Sequence, residues 1–413
     1  MPIGERKKKH RKKKNREPIR VGESILKTGR SVQSTTRTVV EKANALFSRD
    51  SIGRLPRFKK ITFPTFIAGF FVLVLLIAFV ANNQSIVVDR VTVSIPGLPS
   101  DLEGYKILVL SDLQGESFGE GQSTLLRTIN GLSYNLVLIT GDMVGPSGDP
   151  EPFYELLDGM TANRKTYFIA GDSDPGPLLE APRDLESGTL EQYVLADWIL
   201  GAQERGAVYV DKPISFTVRD ATVWLTPSYM LSVNASDEIA KLKLEYNTEA
   251  EMIIDGDEEM KKIYPFTAYR YARMQSLYDA LAKMGENDLH LSLSHIPVTL
   301  EYIATAQANS TVTSENRPSF LRMVDLVVSG HYCGGVWKLP FLGAVYIPDE
   351  SAPRYGWLPE KSRVQGLTAM NSAYQYISAG LGATRDVKVP PVRLFNNSQV
   401  TVITLTATLT ELK

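Results

Sequence analysis

Cysteine occurs once in the 413 residues, as Cys333, so no disulfide can form within the chain and cysteine usage does not reveal its redox compartment. Histidine is also scarce, with four in all, so any imidazole chemistry rests on very few positions. Neither a P-loop nor a G-x-S-x-G nucleophile elbow is present, which removes the simplest nucleotide-phosphate and serine-hydrolase readings. Gly119-Glu120-Gly121 begins a dinucleotide-like pattern, but Thr124 stands where its third glycine belongs. Net charge looks small as well, at −1. That value is a cancellation: residues 1–60 hold 19 Lys and Arg against 5 Asp and Glu, net +14, and the remainder holds 26 against 41, net −15. An acidic body is a poor electrostatic match for nucleic acid, and no nucleic-acid partner is expected of it.

Charge is missing altogether from residues 61–81, ITFPTFIAGFFVLVLLIAFVA. At ~1.5 Å per residue such a run crosses a ~30 Å hydrocarbon layer as one helix, and it is too long and too far into the chain for a cleaved signal peptide. Arg54, Arg57, Lys59 and Lys60 crowd its N-terminal flank, whereas Asn82, Asn83, Gln84 and Ser85 follow it. The positive-inside rule then places residues 1–60 in the cytoplasm as a largely disordered basic tail, 61–82 in the cell membrane as a single pass, and 83–413 outside. The stretch RKKKHRKKKNR at 6–16 reads as a topology determinant that also touches anionic head groups.

From residue 86 one design recurs five times: a short apolar run, one or two small residues, then Asp or His. The runs 105–110, 136–140, 166–170, 289–293 and 326–328 lead to Asp112, Asp142, Asp172, His295 and His331. Runs this short and this rich in Val, Ile and Leu suit strands buried on both faces, and helical patterns lie between them at 123–132, 152–160, 190–203, 236–252, 268–284 and 298–307. The layout is α/β, and in such sheets ligands bind beyond the carboxyl ends of the strands. Singly, each Asp would be a helix cap or turn residue and each His a satisfied structural residue. Together, three carboxylates at one edge would repel, and a divalent cation is the natural compensation; oxygen and imidazole donors suit Mn, Fe or Zn. His290 lies five residues before His295, an odd offset that turns it to the other face of the strand, and it reads as structural.

These motifs resemble those of the calcineurin-like metallophosphoesterases over roughly residues 86–408. Asp112-Leu113-Gln114, Gly141-Asp142, Gly171-Asp172-Ser173, His295 and Gly330-His331-Tyr332-Cys333 match in order the family's D-x-H, G-D, G-N-H, lone H and G-H-x-H. The flanks LPSDLEGYKILVLSD at 98–112, SGHYCGGVWKLP at 329–340, Gly380-Leu381-Gly382 and Val392-Arg393-Leu394-Phe395-Asn396 are similar to a membrane-associated bacterial branch. The fold implied is a two-sheet β-sandwich flanked by helices, here preceded by one transmembrane helix, with an insertion at about 201–288 whose tyrosines suit a core or a substrate wall.

The chemistry implied is a pair of divalent ions roughly 3.5–4 Å apart acting on a phosphoester. Carried over residue by residue, Asp142 bridges, Asp172, His295 and His331 complete one site, and Asp112 with the weaker ligands Gln114 and Cys333 forms the other. Gln114 offers a neutral amide where an imidazole is usual, and Cys333 binds only as a thiolate. Ser173 stands where the family has a histidine and is too weakly acidic to donate a proton; Asp174 is the remaining local acid, beside Pro175 in a turn-like sequence. The expectation is a membrane-anchored, metal-dependent phosphoester hydrolase with one or two divalent ions, acting outside the cytoplasm on a lipid-linked or envelope phosphoester. The alternative is a metal-binding pseudoenzyme of the same fold that binds without turnover.

Overall fold

The five apolar runs are all strands. The computed structural model describes residues 85–161, 165–314, 317–349, 352–384 and 390–408, together with 67, 69–74 and 77. The basic tail 1–60 lies outside the described residues, as does much of the expected membrane helix at 61–82. Its described residues are helical, with Phe70, Phe71, Val72, Leu73 and Ile77 exposed. Among the described residues no helix is long and apolar enough to cross a membrane. The chain divides into two units, Met1–Phe71 and Val72–Lys413, and every described strand belongs to the second.

Sheet one takes β1 (Ile86–Ser94), β2 (Lys106–Leu110), β3 (Leu136–Ile139), β4 (Lys165–Phe168), β5 (Ala207–Tyr209) and β16 (Ser398–Thr406), in the order β1-β16-β2-β3-β4-β5. Sheet two takes β6 (Ile214–Val218), β7 (Ala221–Pro227), β8 (Leu289–Leu293), β11 (Leu326–Ser329), β14 (Gly366–Met370) and β15 (Ala373–Ile377), in the order β14-β15-β11-β8-β7-β6. Two ribbons, β9–β10 (Thr313–Ser314, Arg317–Pro318) and β12–β13 (Lys338–Leu339, Gly343–Ala344), stand apart from both. The helices are α1 (Ser123–Asn130), α2 (Glu151–Gly159), α3 (Leu190–Val194), α4 (Asp197–Glu204), α5 (Ala235–Ile254), α6 (Met260–Lys283) and α7 (Leu300–Asn309).

Strand alternation explains the layering. In β2, Ile107 and Val109 face the second sheet, where they join Leu136, Leu138, Val223, Leu225, Leu291 and Val328. Leu108 and Leu110 point the other way, against Leu125 and Ile129 of α1 and Phe153 of α2. On the far side, Trp224 and Val327 meet Leu242 of α5, Met274 and Leu277 of α6 and Ile303 of α7. The result is a helix–sheet–sheet–helix sandwich, in which each fully buried Leu, Ile or Phe contributes about 1.5–3 kcal/mol. Phe168 shows the fit: its ring lies 5.8 Å from Phe153, 6.1 Å from Trp198 and 5.3 Å from Tyr209.

The segment 201–288 is not one body. Its first part supplies β5 to sheet one and β6 and β7 to sheet two, and α5 and α6 then add to the helix layer packed on sheet two. Asn234 caps α5 through the amides of Ser236 and Asp237, and Thr299 caps α7 through Tyr302 N at 3.1 Å. The tyrosines of α6 take the core reading: Tyr269 is buried, Tyr271 and Tyr278 pack against the helix-side core, and Tyr264 lies against Tyr246 of α5, whereas Arg273 of α6 reaches a cavity beside His295.

His290 faces away from the inter-sheet core, as the odd offset requires. Its Nε2 meets Thr226 Oγ1 at 2.9 Å and its Nδ1 meets Arg322 O at 3.1 Å. Burial, with the Arg322 charge adding to it, holds its pKa down to about 3. The unfolded chain takes up this proton near 6.5 and the folded one does not, so stability present above pH 6.5 is lost as pH falls towards about 3. Asp325, whose carboxyl burial pushes up against the pull of Arg322, offsets part of that loss at lower pH. Denaturant unfolding followed by tryptophan fluorescence is expected to show a loss of about 2 kcal/mol between pH 6.5 and 5, and His290→Gln is expected to flatten it.

Candidate metal centre

Parallel pairing gathers the sequence-predicted residues. β2, β3 and β4 run parallel in sheet one, and β8 and β11 run parallel in sheet two. Asp112, Asp142, Asp172, His295 and His331 therefore follow strand ends on one edge of the sandwich. Asp142, Asp172, His295 and His331 converge most tightly: one ligand atom from each lies within 4.8 Å of all the others. His295 Nε2 is 2.7 Å from Asp172 Oδ1 and 3.3 Å from Asp142 Oδ2, and His331 Nδ1 is 3.0 Å from Asp172 Oδ1.

Each imidazole is oriented from behind. His295 Nδ1 lies 2.7 Å from Thr140 O, and His331 Nε2 lies 3.0 Å from Pro348 O. A carbonyl only accepts, so those nitrogens carry the protons, and the opposite nitrogen of each ring presents its lone pair to the cluster. This is the arrangement a cation requires of two histidines, and the four donors fit a divalent ion. Without one, protons take its place. Burial disfavours the charged form of His295, but hydrogen bonds from its Nε2–H to Asp142 and Asp172 override it and hold its pKa well above the usual imidazole range. His331 is raised in the same way, chiefly through Asp172, with the His295 charge opposing. Asp172 sits far below the usual carboxylate range because the two histidines outweigh its burial. Cation binding and histidine protonation are alternatives, so loading releases protons.

The second group of predicted ligands is differently placed. Asp112, Gln114 and Cys333 are completely buried. Gln114 turns its amide nitrogen to Asp142 Oδ2 at 2.6 Å and leaves Oε1 buried without a hydrogen-bond partner. Asp112 Oδ1 accepts His331 N at 2.9 Å, and its Oδ2 is likewise buried and unpartnered. A Cβ added at Gly330 or Gly380 would fall 2.8 or 2.7 Å from that Oδ2, so both glycines form the cradle of the Asp112 carboxylate. Burial raises the Asp112 pKa, the histidine charges lower it, and Asp142 adds to the rise. Burial likewise pushes the Cys333 thiol well up, reinforced by Asp112 and only partly countered by Arg393. A thiol that holds its proton is a poor ligand, and an ion on this side must displace it.

Ser173 donates its backbone N–H to Asp142 Oδ1 at 2.9 Å. Asp174 uses both oxygens as a clamp, accepting Val144 N, Gly145 N and Gly171 N at 2.8, 2.9 and 2.9 Å. Burial raises its pKa, and those amide bonds oppose the rise.

Backbone conformation is a feature the sequence reading missed. Asp112, Gln114, Asp142, His331 and Cys333 all have positive φ, between 45° and 75°. Side chains in this left-handed region cost of order 1–3 kcal/mol each and persist where the surroundings over-determine them. The glycines flanking each motif were the available signal. A Cβ on Gly171 would lie 2.4 Å from Asp142 N, so no larger residue lets the two turns approach.

Beside His295 lies a cavity of about 180 Å³, walled by Pro227, Ser228, Tyr229, Leu293 and, from α6, Arg273. Arg273 Nε donates to Asp211 O at 2.9 Å and Nη2 to Tyr229 Oη at 2.6 Å. This was another residue the sequence reading passed over, because a lone arginine on a helix carries no motif.

No curated protein matches the chain. Among solved structures, the phosphopantetheinyl hydrolase from Mycobacterium tuberculosis aligns at 12% identity, covering 68% of this chain and 91% of its own, with a TM-score of 0.30. The family model described as calcineurin-like phosphoesterase matches residues 105–334, more than half of the chain, and takes in every one of the predicted ligands from Asp112 to Cys333. The chain belongs to the calcineurin-like phosphoesterase family.

Proposed function

We propose that the protein is a membrane-anchored, metal-dependent phosphoester hydrolase that acts outside the cytoplasm on a lipid-linked or envelope phosphoester. The observation that carries the metal-dependent reading is the convergence of Asp142, Asp172, His295 and His331 with both imidazoles tied back to backbone carbonyls. The membrane and orientation parts rest on the uncharged run 61–81 and its basic N-terminal flank.

A divalent cation held by these four residues supplies Lewis-acid polarisation of the phosphoryl group and neutralises its charge. The chain's own residues do the rest. Thr140 O and Pro348 O fix the tautomers, Gln114 and the Ser173 amide hold the two oxygens of Asp142, and Asp174 locks the turns at 144–145 and 171 together. The cavity at Ser228 and Arg273 receives the alcohol side of the ester.

Neither residue next to the Asp172 turn is suited to protonate the leaving group: Ser173 is too weak an acid and Asp174 is spent on amides. Turnover is therefore expected to climb steeply with leaving-group acidity, with p-nitrophenyl esters at least about tenfold faster than phenyl esters, and Ser173→His is expected to shrink that ratio. Parallel rates for the two substrates would show instead that a proton donor is at work.

The decisive measurement is metal content and hydrolysis of the purified full-length chain with Mn, Fe, Zn and Ni against phosphomonoesters and phosphodiesters. Firm binding of one ion per chain with turnover supports the proposal. A binding module without turnover is favoured by one specific observation, the Gln114 amide directed at Asp142 in place of a ligand. Metal binding without hydrolysis, and activity gained on Gln114→His with Ser173→His and Cys333→His, would support that second reading.

A further inference from the structure

Between His331 and the last strands the chain makes an excursion over 337–358, rooted in the metal cluster and open to water at its tip. At the root, His331 Nε2 donates to Pro348 O at 3.0 Å and Tyr332 Oη donates to Asp349 Oδ2 at 2.9 Å. The β12–β13 hairpin is extended by Val345 N to Trp337 O and Leu358 N to Val345 O, both 2.8 Å, and Tyr346 lies 5.1 Å from the Trp357 ring. The described residues of the excursion, 337–349 and 352–358, are thus knitted together. Its tip is apolar: Phe341 is 109% exposed, Tyr355 73% and Leu342 72%, with Leu339, Trp357 and Leu358 also open. Phe341 has φ 70°, so a bulky side chain is held both in the left-handed region and in water. Nothing in the described fold repays either cost.

The register of sheet one adds an independent observation. β1 runs parallel to β16 with Ile86 opposite Ser398, while β16 runs antiparallel to β2 with Thr401 opposite Val109. Ser398 and Ile86 therefore lie beyond the carboxyl end of β2, at the edge where Asp112 follows. Two strand spacings at ~4.8 Å put the first residue of β1 about 10 Å to the side of β2. Only residues 82–85 separate the uncharged run 61–81 from Ile86, five Cα–Cα steps with a reach of at most ~18 Å. The chain leaves its apolar run and enters the fold at the site edge, the edge from which the excursion also springs.

We infer that the 337–358 excursion is an interfacial docking element that seats the mouth of the site on the bilayer carrying the chain, so that the substrate is a phosphoester whose head group is presented at that surface. The bilayer, rather than a protein, is the occupant because the proposed membrane span, residues 61–81, ends just before Ile86, the strand start at this edge. The docking rests on the membrane-anchored part of the proposed function and not on its phosphoesterase part; only the substrate class rests on the latter.

The test uses the full-length chain in vesicles of phosphatidylcholine and phosphatidylglycerol. An environment-sensitive thiol label is placed at Phe341→Cys, at Leu342→Cys and, as a control, at Asp220→Cys, the exposed β6–β7 turn at the opposite end of sheet two. Cys333 is fully buried, so the unaltered chain is the labelling blank. Brominated acyl chains are expected to quench both tip labels at least about threefold more than the control; equal quenching, or none at the tip, overturns the docking. In a second arm, Phe341→Ser with Leu342→Ser is expected to lower hydrolysis of a vesicle-borne phosphoester about tenfold while leaving a water-soluble one unchanged, tenfold being the measure of ~1.4 kcal/mol of lost interfacial binding. Equal loss on both substrates overturns the surface-presented substrate. Tip quenching without hydrolysis of either would sink the phosphoesterase reading and leave the docking standing.

Discussion

Asp142→Asn is expected to strip the cation from the purified protein and to lower phosphoester hydrolysis by about three orders of magnitude, equivalent to ~4 kcal/mol of transition-state stabilisation. Asp142 is the one carboxylate that reaches three parts of the cluster: Oδ2 meets Gln114 Nε2 at 2.6 Å and His295 Nε2 at 3.3 Å, and Oδ1 accepts Ser173 N at 2.9 Å. An amide keeps the size and most hydrogen-bonding capacity but removes the charge, so metal loss with an intact fold is the signature. Inductively coupled plasma analysis and steady-state assays check it. Full metal occupancy and unchanged turnover in the variant would refute the metal-dependent reading.

Arg393→Met is expected to destabilise the fold by about 3–5 kcal/mol and to weaken metal retention with it. Arg393 is buried and donates to Gly382 O at 2.5 Å, Ala379 O and Asn397 O at 2.9 Å, and Asn396 O at 3.0 Å. The loop it braces holds Asp112 from outside, through Leu381 N to Ser111 O at 3.0 Å and Gly382 N to Asp112 O at 2.6 Å. Asn396, tied to the same guanidinium, donates to Cys333 O at 2.8 Å, so both walls of the Asp112 pocket depend on one side chain. Burial lowers the Arg393 pKa while Cys333 and Asp112 pull it back up, and an arginine keeps its proton throughout. Methionine fills the volume and leaves four carbonyls unmet. Lysine keeps the charge but lacks the planar fork, so Arg393→Lys is expected to recover only part of the loss in denaturant unfolding. A variant as stable as the parent would contradict the bracing role.

Much of the fold was legible because strand periodicity and strand-end punctuation are local. The run Leu136–Ile139 is apolar at every position and is followed by Gly141 and Asp142, a pattern that needs no knowledge of partners. Helix continuity was less legible. One periodic stretch at 190–203 is two helices, because Leu195 and Ala196 adopt extended backbone, Leu195 bridges Leu178, and Ala196 N binds Pro177 O at 2.9 Å. A hydrophobic period records which residues face the core, not whether the backbone between them has found another acceptor.

What the sequence by itself determined is the set of donor types, their order along the chain and their places after apolar strands, since these follow from side-chain chemistry and from periods of two or four residues. Family membership followed from that order. The grouping of Asp142, Asp172, His295 and His331 in one centre was already implied by the family resemblance; only the tertiary structure decided that Asp112, Gln114 and Cys333 are fully buried beside it. It likewise decided that Thr140 O and Pro348 O set the imidazoles, and that the start of β1 and the exposed Phe341 excursion both belong to the site edge. The physical reason is that parallel pairing and sheet register are long-range hydrogen-bond choices. They bring together carbonyls, glycines and side chains whose relation no local pattern encodes.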